Sequence, residues 1–160
     1  MNVLIIGGSG FIGLNLYNHL KNINDINVKG TYSSNKFKNF IKYNLGDPLP
    51  KAIIDFEPEV IINTSWYGIP NFGFENSYNN LQKNLNFLKK IKEIKSLKKL
   101  ILLGSCWELL DKDKITNDIQ YFLWAKNSIN TIYSQFCLSK KIYFNWVRIF
   151  YVYGIYQKIS

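Results

Sequence analysis

Residues that build metal centres and catalytic triads are scarce in this sequence. Its 160 residues include two cysteines, Cys106 and Cys137, and one histidine, His19. Two cysteines so far apart favour neither a metal cluster nor a disulfide framework. A single histidine argues against a zinc site and against a Ser-His-Asp triad. We therefore expect no metal ion in the functional site.

Arginine is nearly absent, although the chain is strongly basic. The formal net charge is +9, yet Arg148 is the only arginine among 20 basic residues. Nucleic-acid interfaces favour arginine because its guanidinium makes bidentate contacts. The lysines are therefore interpreted as a solvated surface, and we expect no nucleic-acid partner.

Long hydrophobic runs and a basic leader are absent as well. No apolar run approaches the roughly 20 residues of a membrane span. The N-terminus, MNVLIIGGSG, reaches glycines after a short apolar stretch and has no basic leader. We therefore expect no membrane partner and a cytoplasmic location.

Short apolar runs alternate with helical patterns along the chain. Hydrophobic residues make up 47% of the sequence, enough for the core of one domain over residues 1–160. The apolar runs are typical of buried parallel strands, and the amphipathic segments between them are typical of helices. Strands are predicted at 2–8, 26–32, 40–47, 59–66, 98–106 and 143–154, and helices at 11–22, 50–58, 74–95 and 121–138. This alternation predicts an α/β fold with a doubly wound parallel sheet of six or so strands in three αβα layers, a Rossmann fold.

A glycine-rich loop, GGSGFIG, follows the first predicted strand and opens the first helix. Gly7 permits a tight turn, Gly10 lets the backbone approach a pyrophosphate, and Gly13 lets the helix pack on the strand. The helix N-terminus adds free N–H groups and the positive end of the helix dipole. The loop, including Phe11 and Ile12, is therefore predicted to bind a dinucleotide. A glycine-rich turn without a ligand is the alternative.

Six segments in the same order resemble motifs of the extended short-chain dehydrogenases, which include the NAD(P)-dependent sugar-nucleotide epimerases and dehydratases. The resemblance covers the whole sequence, and six motifs in the same order are more specific than any single motif. The six segments are GGSGFIG, NLGD, PEVIINTSWYG, NNLQKNLNFL, LILLGSCWE and VRIFYVYG.

The resemblance implies a set of cofactor-binding positions. Asp47 of NLGD stands where the family's acid contacts the adenine, and Asn63 replaces the usual histidine of the fourth strand. Lys126 would hold the nicotinamide ribose. The acid with which NAD-preferring members bind the ribose is replaced by Tyr32. Because the polar residues Ser33, Ser34 and Lys36 follow Tyr32, the cofactor is NAD or NADP.

The catalytic pair of that family is Tyr-x-x-x-Lys, and here it is altered. Aligning WAK sets Lys126 as the lysine and places Phe122 where the tyrosine stands, while Ser105 matches the catalytic serine or threonine. Phenylalanine cannot transfer a proton. Tyr121 is a possible substitute, although it lies about 100° around the helix from Phe122.

Two readings of the function follow from the resemblance. One is the NAD(P)-binding domain of a sugar-nucleotide epimerase- or dehydratase-like oxidoreductase, with a nucleotide-linked sugar as partner if a substrate lobe is supplied. The other is a truncated, non-catalytic dinucleotide-binding remnant or module. The family continues for well over a hundred residues beyond its sixth strand, so we expect the substrate lobe to be absent and turnover by this chain alone to fail. A homodimer is a further expectation.

Overall fold

A computed structural model describes residues 1–34, 37–111, 115–155 and 157. Lys36, which the sequence places in the cofactor loop, lies outside these ranges. Within them, six strands form one parallel sheet in the order β3-β2-β1-β4-β5-β6. The strands are β1 (Asn2–Ile6), β2 (Asn27–Tyr32), β3 (Ile41–Lys42), β4 (Val60–Asn63), β5 (Lys99–Ser105) and β6 (Tyr143–Ile149). The predicted doubly wound parallel sheet is confirmed.

Four α-helices lie between the strands in the described part of the chain. They are α1 (Phe11–Leu20), α2 (Lys51–Ile54), α3 (Phe74–Ile91) and α4 (Asn117–Lys140). The core lies between the sheet and the inner faces of α3 and α4, where Leu4, Ile61 and Leu100 of the central strands meet Phe87 and Tyr133 of the helices. None of the described helices combines the length and the hydropathy that a bilayer crossing needs.

The strand order reverses between β1 and β4. The chain first builds β1, β2 and β3 toward one edge, then crosses back to add β4, β5 and β6 on the other side of β1. The connections that leave the carboxyl ends of β1 and β4 therefore diverge and open a crevice at this edge of the sheet. That crevice positions the site described below.

Several predicted boundaries are wrong. The strand predicted at 40–47 shrinks to Ile41–Lys42, because Asp47 N donates to Asn44 O at 3.1 Å and closes a turn. The last strand ends at Ile149 rather than at 154. Helix α3 ends at Ile91, before the predicted 95, and α4 begins at Asn117, before the predicted 121. A short 3₁₀ turn, Cys106–Leu109, begins where the predicted strand 98–106 ends and precedes the helix predicted from 121.

Candidate functional site

Hydrogen bonds to β2 hold the glycine loop in place. Gly7 has a φ of +76°, the left-handed region that favours glycine. Its N–H donates to Thr31 Oγ1 at 3.0 Å, and Ser9 N donates to Thr31 O at 3.1 Å. Gly10 N donates to Gly7 O at 3.0 Å and closes the turn into α1. The loop is therefore shaped by the protein itself, and Thr31 is a supporting residue that the sequence interpretation missed.

The glycines of this loop differ in what surrounds them. A Cβ on Gly13 would collide with the Gly7 carbonyl oxygen and lie 2.8 Å from Gly8 Cα. A Cβ on Gly8 would lie 2.7 Å from Gly30 Cα. Gly10, by contrast, is exposed, and its Cβ would meet only Gly7 O at 3.3 Å. Gly13 and Gly8 thus let backbone pack on backbone, while Gly10 leaves open space at the surface of the crevice.

The crevice contains a groove of about 240 Å³. Gly7, Ser9, Gly10 and Ser33 line one side, and the segment 64–68 after β4 lines the other. Of the predicted cofactor-binding residues, Gly7, Gly10 and Ser33 therefore meet at one groove. Gly13 lies in the first turn of α1 below it, and Tyr32 is half-buried at the end of β2.

Two predicted cofactor-binding polar residues make contacts within the protein. Asp47 is exposed in the turn after β3, and its carboxylate accepts from Asn44 Nδ2 at 3.0 Å. The Asn63 amide is buried; its oxygen accepts from the backbone N–H and the hydroxyl of Ser65, at 3.0 and 2.7 Å. Its Nδ2 donates to Asn84 Oδ1 at 3.1 Å. The buried Asn63 side chain therefore fixes the conformation of the loop after β4.

A second, mostly apolar cavity of about 200 Å³ lies beyond the ends of β4 and β5. Ser105, Phe122 and Lys126 all line it, and so does Ile12 from α1. Tyr121 lies elsewhere: it is 40% exposed and packs edge-to-face on Phe74, with ring centroids 5.5 Å apart. The structure thus brings together the three residues aligned with the family's catalytic set and leaves Tyr121 outside. Phe11 faces a different surface groove beside residues 152 and 153.

Lys126 is buried at the wall of this cavity. Its Nζ donates to Leu103 O at 2.7 Å and lies 4.2 Å from the centre of a Trp66 ring. Burial lowers the pKa of the Lys126 amine to about 7, and the Glu108 carboxylate opposes that shift. The Leu103 carbonyl and the Trp66 ring face also favour the charged amine. The amine is therefore held at the end of β5 by one hydrogen bond and by the Trp66 ring face.

Glu108 fixes the backbone around Ser105. Its side chain, 2% exposed, accepts from Ser105 N at 2.8 Å, from Trp146 Nε1 at 2.9 Å and from Arg148 Nε at 2.8 Å. Ser105 Oγ accepts from Trp107 N at 3.2 Å. This reciprocal pattern is a capping box. The sequence interpretation missed Glu108, although the spacing Ser-x-x-Glu was a readable signal.

An aromatic cluster borders the same cavity. Phe122 contacts Trp66, Phe72 and Trp107 edge-to-face, with ring centroids 5.0, 5.1 and 5.9 Å apart. Phe72 and Trp107 also contact each other at 4.9 Å. These rings converge from the loop after β4, the approach to α3, the 3₁₀ turn and α4. No periodic signal in the sequence could bring them together.

The family of the chain follows from comparison with known proteins. The family model of the NAD dependent epimerase/dehydratase family matches residues 3–159. The chain belongs to this family. A search of curated protein sequences gave no significant match.

Solved structures of epimerases share the fold. Uridine diphosphate (UDP)-glucuronic acid 4-epimerase from Bacillus cereus in complex with NAD has a TM-score of 0.77 and 19% identity, covering 96% of this chain and 57% of its own. UDP-N-acetylglucosamine 4-epimerase from Bacillus cereus has a TM-score of 0.78 and 12% identity, covering 100% of this chain and 57% of its own. The Thermus thermophilus UDP-glucose 4-epimerase complex with NAD has a TM-score of 0.71 and 18% identity. The match covers 92% of this chain and 54% of the epimerase. This chain therefore spans somewhat more than half the length of these enzymes.

Proposed function

We propose that the chain is the NAD(P)-binding domain of a sugar-nucleotide epimerase- or dehydratase-like oxidoreductase. The observation that carries the proposal is the groove at the strand-order reversal, with the glycine loop on one side and Ser33 beside it. Doubly wound sheets bind nucleotides at this point. Family membership and the NAD complexes of the similar epimerases support the same ligand.

The groove suits a diphosphate. The first N–H groups of a helix have no partner within the helix, so the first turn of α1, from Phe11 to Gly13, presents donors and a positive dipole end to an anion. Gly10 leaves the space that a phosphate needs to approach the backbone. Tyr32 and Ser33, at the end of β2, would face the adenosine ribose, and neither of them is an acid that would select NAD. When bound, NAD or NADP supplies the hydride-accepting nicotinamide.

Gly10→Val tests the binding site without disturbing the fold. Gly10 has ordinary extended backbone angles (φ −78°, ψ 170°), which valine tolerates, and its side chain would enter the groove. We expect NAD⁺ or NADP⁺ to bind at least about tenfold more weakly to this variant than to the wild type in calorimetric titration. Equal binding by both chains would overturn the proposal.

Gly73→Val is the matched control. Gly73 precedes α3 as Gly10 precedes α1, has nearly the same backbone angles (φ −60°, ψ 169°), and its Cβ would meet Asn71 Oδ1 at the same 3.3 Å. It does not line the groove. This variant should bind the cofactor as the wild type does.

We further propose that Ser105 and Lys126 occupy the catalytic positions and that Phe122 prevents turnover. In that arrangement Ser105 would position a sugar hydroxyl and Lys126 would hold a cofactor ribose, but Phe122 cannot accept the proton. Tyr121 packs on Phe74 and does not line this cavity, which supports leaving it out of the catalytic set.

Incubation of the chain with NAD⁺ and UDP-glucose should give no epimerised product by chromatography. Phe122→Tyr should stay inactive as well, because near-attack geometry also needs a holder for the sugar. Multiple turnovers by the wild-type chain alone would contradict this assignment and favour a complete enzyme over a non-catalytic module.

Partner and location follow from the same function. We propose a nucleotide-linked sugar as partner when a substrate lobe is supplied. We also propose that the chain is located in the cytoplasm, where cell fractionation should find it.

A homodimer is supported by exposed aromatic side chains on α3 and α4, namely Phe74, Tyr78, Tyr121 and Trp124. Sedimentation should then show a dimer that Trp124→Lys dissociates; a wild-type monomer at all concentrations would exclude it.

A further inference from the structure

Lys83 of α3 differs from the solvated lysines on the surface. Its side chain is half-buried, and its Nζ lies over the face of the Tyr67 ring, 3.8 Å from the ring centre. Lys51, by comparison, pairs with the Asp55 carboxylate at 2.7 Å. Lys83 has no carboxylate partner within the described ranges. An aromatic face therefore holds this ammonium and leaves it without a counter-charge.

Two loops of the crevice meet at Lys83. After β3, Gly46 has a φ of +94°, and a Cβ on it would lie 3.0 Å from Lys83 Cα, so this loop packs directly against α3. After β4, Tyr67 N donates to Asn80 Oδ1 at 2.8 Å, and Tyr67 O accepts from Asn80 Nδ2 at 3.0 Å. Asn80 lies about one turn before Lys83 on α3. The Lys83 side chain is therefore placed between the loops that follow β3 and β4.

Tyr67 connects this cation to the groove beside the glycine loop. Tyr67 belongs to the wall opposite that loop, and its side chain is 42% exposed. None of the described residues that line the groove is charged. The glycine loop offers a diphosphate only neutral N–H groups and a helix dipole. A lysine at the rim can add a full positive charge, because its ammonium is a point charge on a flexible stem.

We propose that Lys83 supplies the positive charge that binds the diphosphate of the ligand, and that Tyr67 positions the ammonium at the groove. The inference rests on the proposed dinucleotide-binding function and deepens it, because it names a basic side chain that the glycine motif does not include. The ammonium exchanges its contact with the Tyr67 ring for a charge-assisted hydrogen bond to a phosphate oxygen. Affinity for the ligand then depends on ionic strength.

Lys83→Met tests the proposal, with Lys90→Met as the matched control. Lys90 is also half-buried on α3, about two turns beyond Lys83, and does not line the groove. Calorimetric titration uses NAD⁺ or NADP⁺, whichever the wild type binds more tightly. The dissociation constant should rise about tenfold in Lys83→Met and stay unchanged in Lys90→Met. Equal binding by Lys83→Met and the wild type would overturn the role of Lys83 alone; no binding by the wild type would overturn the proposed function as well.

Ionic strength separates a charge contact from a structural role of Lys83. Raising NaCl from about 0.05 M to about 0.5 M screens an exposed charge pair. This change should weaken binding to the wild type about threefold more than binding to Lys83→Met. Lys83→Arg keeps the charge and should keep the salt dependence. The same salt dependence in the wild type and in Lys83→Met would contradict the proposal.

The part played by Tyr67 is tested by two substitutions. Tyr67→Phe keeps the ring face on which the ammonium lies, whereas Tyr67→Leu removes it. Binding to Tyr67→Leu should therefore be weaker than binding to Tyr67→Phe and less sensitive to salt. If the two variants bind equally and respond equally to salt, Tyr67 does not position Lys83.

Discussion

Replacing Gly13 by valine should lower the free energy of unfolding by roughly 3 kcal/mol or more, an overpacking cost at the upper end of the usual range. A side chain there would meet the Gly7 carbonyl, Gly8 Cα and Gly7 C, all backbone atoms that cannot move aside as a flexible side chain can. Helix α1 would have to separate from β1, so cofactor binding should be lost together with stability.

Urea denaturation followed by circular dichroism measures this cost. Gly10→Val is the matched comparison within the same loop and should stay within about 1 kcal/mol of the wild type, because its Cβ meets one atom at 3.3 Å. If Gly13→Val were as stable as the wild type, the close packing of α1 on the glycine loop would be wrong.

The second large effect is a pH-dependent stability that depends on Lys126. Burial lowers its pKa in the folded chain to about 7, from an ordinary value of 10.5. Between these values the unfolded chain binds a proton that the folded chain lacks, so stability rises with pH. From pH 7 to pH 8.5 the wild type should gain about 2 kcal/mol relative to Lys126→Met, which keeps an apolar chain of similar length.

Two other buried groups, Cys137 and Tyr43, lower the stability of the folded chain at higher pH. Burial raises the pKa of the Cys137 thiol to about 11 and that of Tyr43 to about 12. Both groups favour the folded chain less once the pH exceeds their ordinary values. Because both are present in wild type and variant, the difference between the two denaturation series isolates Lys126. Parallel curves from pH 7 to pH 8.5 would show that the amine is not buried as described.

The face of α4 that meets the core could be predicted from the sequence. Phe122, Lys126, Ile129, Tyr133 and Cys137 recur at helical spacing, and all five are buried. That spacing places Phe122, and not Tyr121, on the inner face. It therefore fixes which aromatic residue reaches the cavity, while the catalytic role of that position stays a prediction.

The sheet was predictable for a similar reason, whereas the details of the site were not. Apolar runs indicate where a chain must be buried, and this located β1, β4 and β5. The inward turn of Asn63 depends on its hydrogen bonds to Ser65, two residues further along, and to Asn84 of α3. The position of Trp66 likewise depends on packing against Phe122. Such contacts carry no period in the sequence.

Nuclear magnetic resonance of the amide-labelled chain, titrated with NAD⁺ or NADP⁺, tests the central claim most directly. Binding through the glycine loop predicts saturable shifts of the amides of residues 7–13, with smaller shifts at 32–33 and 64–68 around the groove. The amides of β6 and of the outer face of α4 should not move. Saturable shifts that spare residues 7–13, or no shifts at millimolar cofactor, would contradict a dinucleotide site at this loop.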